Sequence, residues 1–441
     1  MIEIQGGRIA DLAAGTLEEP STISVGSDVI ECITPFSPDK GTDTPADHAV
    51  DETIDAEGTI IIPGFRNNHA HTAMTLLRGL VEDVSIEDWF NRHVWIVEQN
   101  LTPEDVYWGT LLGSLEMLHA GVTFVSDHYF HMDRAFEAYR ASGMRANLAW
   151  ATFGVGENVD AQFDRAVEFA RSYRIEADTI TTALGPHSPY LCPPEALRKS
   201  AETAQREELP LHIHVSETRD QVERSYKEHG KSPVALLAET EILSPNTMLA
   251  HAYYAGDDDL VLISRHGSAI AHCPKTFMKF GFMSDILPRA LRMNIPVTLG
   301  SDGAASNNTM SICEAARDAA LLAKCATGDA HVATVSQLLS LLSPASPLAS
   351  LPAQTRVRTG DPPDLLLLRP RQPHLMPSQN FTSHVLYSLR ESDIETVIVG
   401  GKVVIDNGVH RWIDEDEVMR HATEIFQRLS VHKTDRPMQT F

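Results

Sequence analysis

The sequence predicts an α/β protein: a (β/α)8 barrel and a small β domain that both chain termini build. Through the middle of the chain, short apolar runs typical of buried strands alternate with longer amphipathic segments, which indicates βαβ units and a parallel sheet. Both ends of the chain are instead rich in short strand-like runs. The length of 441 residues also exceeds the ~250 to 300 residues at which a single core stops growing.

Eight strand candidates follow one another in the middle of the chain. Eight parallel strands close naturally into a barrel, and their carboxyl ends then form the mouth of the active site. An open, doubly wound sheet would fit the same periodicity, but polar residues stand at the carboxyl ends of the candidates, which favours the barrel. The candidates are GTIIIPGFRNNHA, VTFVSDH, RANLAWA, ITTALGPHS, LPLHIHVSE, TMLAHAY, SAIAHCP and IPVTLGSD.

The two terminal segments are expected to pair into the small domain. Near the amino terminus, MIEIQGGRIADL, TISVGSDVIECI and TIDAEGTIIIPGF alternate apolar runs with turn signals, and no long helix fits there. Near the other end, DLLLLRP, HVLYSL and IETVIVGGKVVIDNGV are interpreted as strands, and Asp414 to Leu429 has helical spacing. The predicted domains are residues 1–60 with 357–441, and a barrel of residues 61–356.

Charge and composition exclude several classes of protein. The 60 acidic residues outnumber the 36 basic ones, and the formal net charge of -24 would repel a nucleic-acid backbone. No targeting pattern begins the chain, and no apolar stretch approaches the ~20 residues of a membrane span. Five scattered cysteines without a Cys-x-x-Cys pair suggest neither a disulfide framework nor a thiolate zinc site. We expect a cytoplasmic protein without nucleic-acid or membrane partners.

The first barrel strand ends in a candidate metal site, His69 and His71. Side chains of a strand alternate between its faces, so residues two positions apart point into the same cavity and can bind one ion. The pair alone is a weak signal, because two histidines on a solvated strand give the same pattern. Its position after Pro63-Gly64-Phe65 and before Thr72, at a strand end, favours a metal site.

Three later strands add polar groups to the same mouth. The fifth strand reaches His214 and is followed by Glu217, the sixth ends at His251, and the eighth ends at Asp302. Taken singly, a buried histidine is more often a hydrogen-bonded core residue, and a buried carboxylate needs a partner. Three nitrogens and one oxygen that converge from strand ends are difficult to explain as core packing.

The donor set favours one zinc ion. The predicted ligands are His69, His71, His214 and Asp302. Three imidazoles with one carboxylate suit zinc, or iron(II), better than magnesium or calcium, which prefer oxygen ligands. The fourth strand, ITTALGPHS, offers His187 but no lysine that could bridge a second ion after carbamylation.

Four segments, PGFRNNHAHTAMTLLRG, LGPHSPYLC, HIHVSET and LGSDGAASNN, resemble the amidohydrolase superfamily. Within it, the chain is similar to the branch of methylthioadenosine/S-adenosylhomocysteine deaminases and triazine chlorohydrolases, from about Met1 to Asn407. The resemblance implies a barrel with a β-sandwich made from both termini, the same four metal ligands and a homo-oligomer. It also implies that Glu217 transfers a proton at the ring nitrogen, that His251 orients the attacking water and that Asp302 takes its proton.

The resemblance further implies which residues bind substrate. Trp89 stacks on the purine, Glu98 binds the ribose hydroxyls, and His187 contacts the purine ring. Trp150 stands where members that accept S-adenosylhomocysteine carry an arginine, and the loop GVGENVDAQF after it contains none, so adenosine or methylthioadenosine is expected to be preferred. Two segments depart from the family: Thr276-Phe277 replaces a Ser-Asn pair, and SPASPLASLPAQTRVRTGDPPDL replaces a Gly-Ala helix.

These inferences predict a mononuclear metal-dependent aminohydrolase that deaminates a purine nucleoside, such as methylthioadenosine or adenosine, by attack of metal-bound hydroxide. Two alternatives stay open. One is a deaminase or chlorohydrolase of a nucleobase, pterin or s-triazine ring, which Trp150 and the segment HCPKTF favour. The other is a binding or assembly protein that shares only the barrel, against which the complete ligand set speaks.

Overall fold

A computed structural model describes residues 1–37, 50–156, 158–173 and 179–431, and its strands form two sheets. The strands are β1 (Ile2–Asp11), β2 (Thr16–Val25), β3 (Ile30–Pro35), β4 (Glu52–Asp55), β5 (Ile60–Pro63), β6 (Phe65–Ala70), β7 (Val122–Tyr129), β8 (Arg145–Thr152), β9 (Ile180–Pro186), β10 (Leu211–Val215), β11 (Thr247–His251), β12 (Ala269–His272), β13 (Val297–Leu299), β14 (Leu365–Leu368), β15 (Ile394–Val399), β16 (Lys402–Asp406) and β17 (Val409–His410).

Helices separate the strands of the middle region and cover the sheet that they form. They are α1 (Ile86–Asp88), α2 (Trp95–Glu98), α3 (Pro103–His119), α4 (Met132–Ser142), α5 (Val159–Tyr173), α6 (Pro194–Glu207), α7 (Arg219–His229), α8 (Pro233–Glu239), α9 (Asp257–His266), α10 (Pro274–Lys279), α11 (Ile286–Arg292), α12 (Ala304–Asn307), α13 (Ile312–Thr327), α14 (Val335–Ser340), α15 (Phe381–Tyr387) and α16 (Glu415–Val431). A π-helical turn, Trp89–Val94, joins α1 to α2, and 3-10 turns span Thr72–Leu77, Pro373–Leu375 and Glu391–Asp393.

The eight strands β6 to β13 form the barrel, in chain order and parallel to one another. The last strand returns to the first where Asp302 pairs with Ala70 and the Asp302 N–H donates to the His69 carbonyl oxygen at 3.0 Å. All eight predicted strands are present, and the predicted fold class is confirmed. No helix in the described ranges combines the length and the apolar character that a membrane crossing needs.

The second sheet contains nine strands and joins the two ends of the chain, as predicted. Its centre is β5, which pairs in parallel with β1 and antiparallel with β14. Alternate residues of β14 face opposite sides: Leu365 and Leu367 pack in the core of the terminal sheet, whereas Leu366 and Leu368 join the core of the barrel. Burial on both faces explains the uninterrupted apolar run. The domain boundaries at residues 60 and 356 stay a prediction.

One strand prediction is wrong, because HVLYSL lies in α15 and the bend after it. The Asn380 side chain accepts a hydrogen bond from the Ser383 N–H at 3.0 Å and so begins the helix. At the other end, Arg317 donates to the carbonyl oxygens of Leu386 (3.2 Å) and Leu389 (2.9 Å). These contacts favour a short helix over the strand that the β-branched and aromatic residues indicated. The helix predicted from Asp414 to Leu429 is confirmed as α16.

The segment that departs from the family pattern has no helix or strand between Leu341 and Asp364, and it is held by a buried arginine. Arg66 on β6 is 1% exposed, and its guanidinium donates three hydrogen bonds to this segment. Nearby, Leu348 enters the barrel interior, where its carbonyl oxygen accepts from Asn147 Nδ2 at 2.7 Å. The acceptors of Arg66 are the oxygens of Pro344 (2.6 Å) and Pro352 (2.7 Å) and Oε1 of Gln354 (2.8 Å).

We expect Arg66→Met to lower the free energy of unfolding by about 3 kcal/mol, because three buried acceptors lose a charged donor. Denaturant unfolding followed by circular dichroism measures the change. Arg420, whose side chain is 60% exposed, provides the control: Arg420→Met should change the free energy by less than about 0.5 kcal/mol. Equal stability of both variants would contradict this account of the segment.

Candidate active site

The four predicted metal ligands meet at the carboxyl ends of the barrel strands. Asp302 Oδ1 lies 3.6 Å from His69 Nε2 and 3.3 Å from His71 Nε2. The Nε2 atoms of His71 and His214 are 3.2 Å apart. Strand β6 supplies His69 and, one residue after its end, His71; β10 supplies His214; and Asp302 follows β13. The barrel therefore brings together residues that are up to 233 positions apart in the chain.

Hydrogen bonds to the other ring nitrogen orient each imidazole. His71 Nδ1 lies 2.6 Å from the His128 carbonyl oxygen, and His214 Nδ1 lies 2.9 Å from the His187 carbonyl oxygen. His69 Nδ1 lies 2.9 Å from Nε2 of His212. A carbonyl oxygen can only accept, so it places the ring proton on Nδ1 and leaves an Nε2 lone pair that faces the cavity.

These donors fit a divalent cation. Bonds of ~2.0 to 2.2 Å in a tetrahedral shell separate neighbouring ligand atoms by about 3.3 to 3.6 Å. The separations of 3.2 to 3.6 Å agree with that geometry, and the ligand atoms of the three histidines all lie within 4.8 Å of one another. Within the described ranges, the buried Nε2 of His69 has no hydrogen-bond partner, as a metal ligand would require. The site therefore suits a divalent metal with nitrogen and oxygen ligands.

Strained backbone surrounds the site. Ser216, His251, Ala252 and Asp302 all have positive φ, between 49° and 74°, although none is a glycine. Such conformations cost of order 1 kcal/mol or more each and persist where the surrounding structure enforces them, often at active sites. At these strand ends, the backbone turns sharply enough to direct His251 and Asp302 toward one cavity.

The two carboxylates in the site have opposite surroundings. Burial opposes ionisation of Asp302, but the neighbouring imidazoles of His69 and His71 outweigh it and hold the pKa of Asp302 well below its usual range. Burial, and then repulsion from Asp302, raises the pKa of Glu217 to about 8. These surroundings favour a protonated Glu217 beside an ionised Asp302 near neutral pH, an arrangement that acid–base catalysis can use.

A cavity above the ligands contains four of the five predicted substrate-binding residues, namely Trp89, Glu98, His187 and His251, together with Glu217. The cavity is open to solvent, and its empty space of about 730 Å³ includes part of that opening. The His187 ring stacks on Phe153, with ring centres 5.0 Å apart. Apart from Trp150, the substrate-binding residues that the resemblance implies therefore face the same cavity as Glu217.

Trp150, the fifth, does not line this cavity. Its ring turns away from the cavity and packs against Phe169 of α5, with ring centres 5.4 Å apart, while the neighbouring Ala151 lines the cavity. Adjacent residues of a strand face opposite sides, so a displacement by one position changes the side. Trp150 instead lines an adjoining chamber, which shares Glu98 and Phe153 with the cavity.

The expectation that no arginine lies near Trp150 and the loop after it is also corrected. Arg165, on α5, lines the adjoining chamber, and its guanidinium lies over the Trp150 ring at 5.6 Å from the ring centre. The loop GVGENVDAQF ends two residues before Arg165, so the sequence prediction overlooked this residue, which α5 carries to the same chamber. Glu157 of that loop lies outside the described residues.

Thr276 and Phe277, which depart from the family pattern, both line the cavity. Thr276 Oγ1 lies 3.2 Å from Ser306 Oγ, which donates to Asp302 Oδ2 at 3.4 Å. The Phe277 ring meets the edge of His251 with centres 5.0 Å apart. These two residues therefore support the catalytic side chains as well as shaping the cavity.

Sequence reasoning missed Tyr129 and His128 as parts of the site, and it placed His212 on the fifth strand beside His214 without giving it a role. Tyr129, at the end of β7, donates a hydrogen bond to the buried Glu98 carboxylate. The polar run Asp127-His128-Tyr129 at a strand end could have identified the first two residues. His212 lies on the same strand as His214. Only its contact with His69 across the barrel indicates a role for it.

Comparison with known proteins agrees with this site. The amidohydrolase family model matches residues 60–404. The 5-methylthioadenosine/S-adenosylhomocysteine deaminase of Desulforudis audaxviator is 39% identical over 391 residues, which cover 87% of this chain and 90% of that protein. The solved structure of a zinc-bound adenosine deaminase from Xanthomonas campestris superposes with a TM-score of 0.90 at 24% identity, over 98% of both chains.

The zinc complex of atrazine chlorohydrolase TrzN from Arthrobacter aurescens superposes with a TM-score of 0.85 at 21% identity, over 97% of this chain and 100% of that one. At such identities, the two structures support the fold. The family model spans the whole barrel and includes β5 and β14, which pair with each other in the terminal sheet. The match to the Desulforudis audaxviator protein covers almost the same length. This chain belongs to the amidohydrolase family.

Proposed function

We propose that the protein is an aminohydrolase that removes the 6-amino group of a purine nucleoside, with methylthioadenosine and adenosine as its first candidates. One observation carries the proposal: the buried carboxylate of Glu98 lines the same cavity as Glu217 and the metal ligands. A base alone would leave Glu98 with the Tyr129 hydroxyl as its donor, whereas ribose hydroxyls would add donors from the substrate. The deaminase name of the sequence relative supports the same reaction.

The metal ligands in this proposal are His69, His71, His214 and Asp302, and the donor set supports zinc, with iron(II) as second choice. When bound, the ion supplies a water of lowered pKa, and hence a nucleophile at neutral pH. Asp302 takes the proton of that water. The imidazole of His251 borders the same cavity, where it orients the water toward the ring.

Glu217 carries the second proton transfer. Its carboxyl is protonated at neutral pH because burial raises its pKa to about 8. Donation to the ring nitrogen withdraws electrons from C6 and makes that carbon the electrophile. Water then adds at C6, ammonia leaves with the proton that Asp302 collected, and the remaining C6 hydroxyl gives its proton back to Glu217 as the C6–oxygen double bond forms, so that the ring keeps an oxygen in place of the amino group.

In this proposal, Glu98 binds the ribose hydroxyls. Burial is the main cause that raises the pKa of Glu98 to about 7, and the Tyr129 hydroxyl opposes it by donating to the carboxylate. Trp89 and His187 provide flat ring surfaces on the cavity wall for the purine. We also propose a cytoplasmic homo-oligomer that binds no nucleic acid, following the family resemblance and the net charge of -24.

A substrate panel tests the proposed reaction. Purified zinc-loaded protein is assayed for ammonia release from adenosine, methylthioadenosine, adenine and a pterin, and for chloride release from a chlorotriazine. We expect kcat/KM for the nucleosides to exceed that for adenine by about tenfold or more, because hydrogen bonds to a charged group contribute about 1.5 to 3 kcal/mol. Faster turnover of ribose-free rings would instead support the nucleobase, pterin or triazine alternative, which Phe277 favours.

Glu217→Gln should retain the metal and lower kcat for the best substrate by about 10²- to 10⁴-fold, since glutamine cannot transfer the proton. Metal content and steady-state kinetics are measured on the same preparation. Glu223→Gln, on the exposed side of α7, is the control and should keep normal kcat. Normal turnover by Glu217→Gln would remove Glu217 from the mechanism.

The adjoining chamber is proposed to receive the 5′ substituent of the nucleoside, since it begins at Glu98. Arg165 gives an anionic substituent one exposed cation, which is weaker than a buried one. We therefore still expect methylthioadenosine to be preferred over S-adenosylhomocysteine. Arg165→Gln should lower kcat/KM for S-adenosylhomocysteine about two- to fivefold and leave methylthioadenosine unchanged. An equal effect on both substrates would contradict the assignment of Arg165.

A further inference from the structure

His212 is a fully buried histidine that the proposed reaction leaves without a role. It lies on β10, two residues before the ligand His214, and so faces the same side of the strand one layer deeper in the barrel. Its Nε2 atom lies 2.9 Å from Nδ1 of His69, on a strand at the other side of the barrel. The contact joins residues 143 positions apart and is made between two side chains with no exposed surface.

The other two histidine ligands are oriented differently. Backbone carbonyl oxygens, of His128 and His187, accept the Nδ1 protons of His71 and His214. Strand pairing fixes those carbonyl groups, so a substitution of either side chain leaves the acceptor in place. His69 is the exception among the three, because its Nδ1 partner is a side chain and can be removed by one substitution.

We propose that His212 is a positioning residue for the metal: it accepts the Nδ1 proton of His69 and so holds the Nε2 lone pair of His69 toward the ion. The inference rests on the metal site of the proposed function. If Nε2 of His69 binds a cation, its ring proton sits on Nδ1, and two N–H groups cannot face each other at 2.9 Å. His212 therefore presents a lone pair at Nε2 and carries its own proton on Nδ1.

Removal of the acceptor has two consequences for His69. Its Nδ1–H group stays buried without a partner, and the ring loses the contact that selects the tautomer with a free Nε2. Groups that orient metal ligands in this way typically change metal affinity by about 10- to 100-fold when they are substituted. The effect should appear in binding of the ion itself, before any substrate is added.

The test compares Zn²⁺ affinity in His212→Leu, His212→Gln and the natural protein, by competition with a chelator. We expect about 10- to 100-fold weaker binding for His212→Leu. Glutamine places an acceptor oxygen near the position of Nε2, so His212→Gln should recover most of the affinity. His272→Gln is the matched control: His272 is buried on the nearby strand β12, and we expect its substitution to change affinity less than about threefold.

Thermal unfolding of the metal-free variants separates positioning from general damage, and the absorption spectrum of bound Co²⁺ reports the ligand geometry. His212→Met replaces the leucine variant if that variant does not fold. Natural Zn²⁺ affinity in the apolar variant would overturn the proposal, as would equal weakening in His212→Leu and His212→Gln, because glutamine restores the acceptor. The readout is metal binding alone. A protein whose zinc affinity depends on His212 but which deaminates no nucleoside would therefore refute the proposed function and leave this inference standing.

Discussion

The structure depends on closure of the barrel, because the contact that closes it also assembles the metal site. The backbone of Asp302 pairs with β6 through Ala70 and the His69 carbonyl oxygen, while the Asp302 side chain meets the Nε2 atoms of His69 and His71. The first and last barrel strands can therefore meet correctly only if these ligands also meet. Opening of this seam would separate His69 and His71 from Asp302, so the fold and the site share one set of contacts.

Much of the fold could be predicted, because buried strands and their polar ends leave a pattern in the sequence. All eight barrel strands were identified, since each combines an apolar run with a polar carboxyl end. HVLYSL was wrong because its residues favour a strand locally, whereas the Asn380 cap and the bonds from Arg317 decide for a helix. The segment before Asp364 gave no pattern at all, since Arg66, nearly 280 residues away, determines its path.

The site shows the same division between local and distant information. The convergence of His69, His71, His214 and Asp302 could be predicted because strand ends of a barrel share one mouth, and the family resemblance implies the metal-binding role proposed for them. Trp150 lines the adjoining chamber and its neighbour Ala151 the cavity above the ligands, a difference that depends on register and leaves no trace in composition. Tyr129 and His212 act through partners on other strands, so their contacts with Glu98 and His69 become visible only in three dimensions.

The division of labour between Glu217 and Asp302 follows from where each strand ends. Asp302 is placed by the barrel seam beside two imidazoles and the Ser306 hydroxyl, which stabilise its charge. Glu217 follows β10 by two residues, beyond the histidines, and in the described part of the chain no group donates a hydrogen bond to its carboxyl oxygens. Their surroundings therefore have opposite results: the carboxylate among donors stays charged, and the partly exposed Glu217, without them, holds its proton. A reaction that must take a proton from water and give one to a ring needs both groups in one cavity, and the spacing of the strand ends provides it.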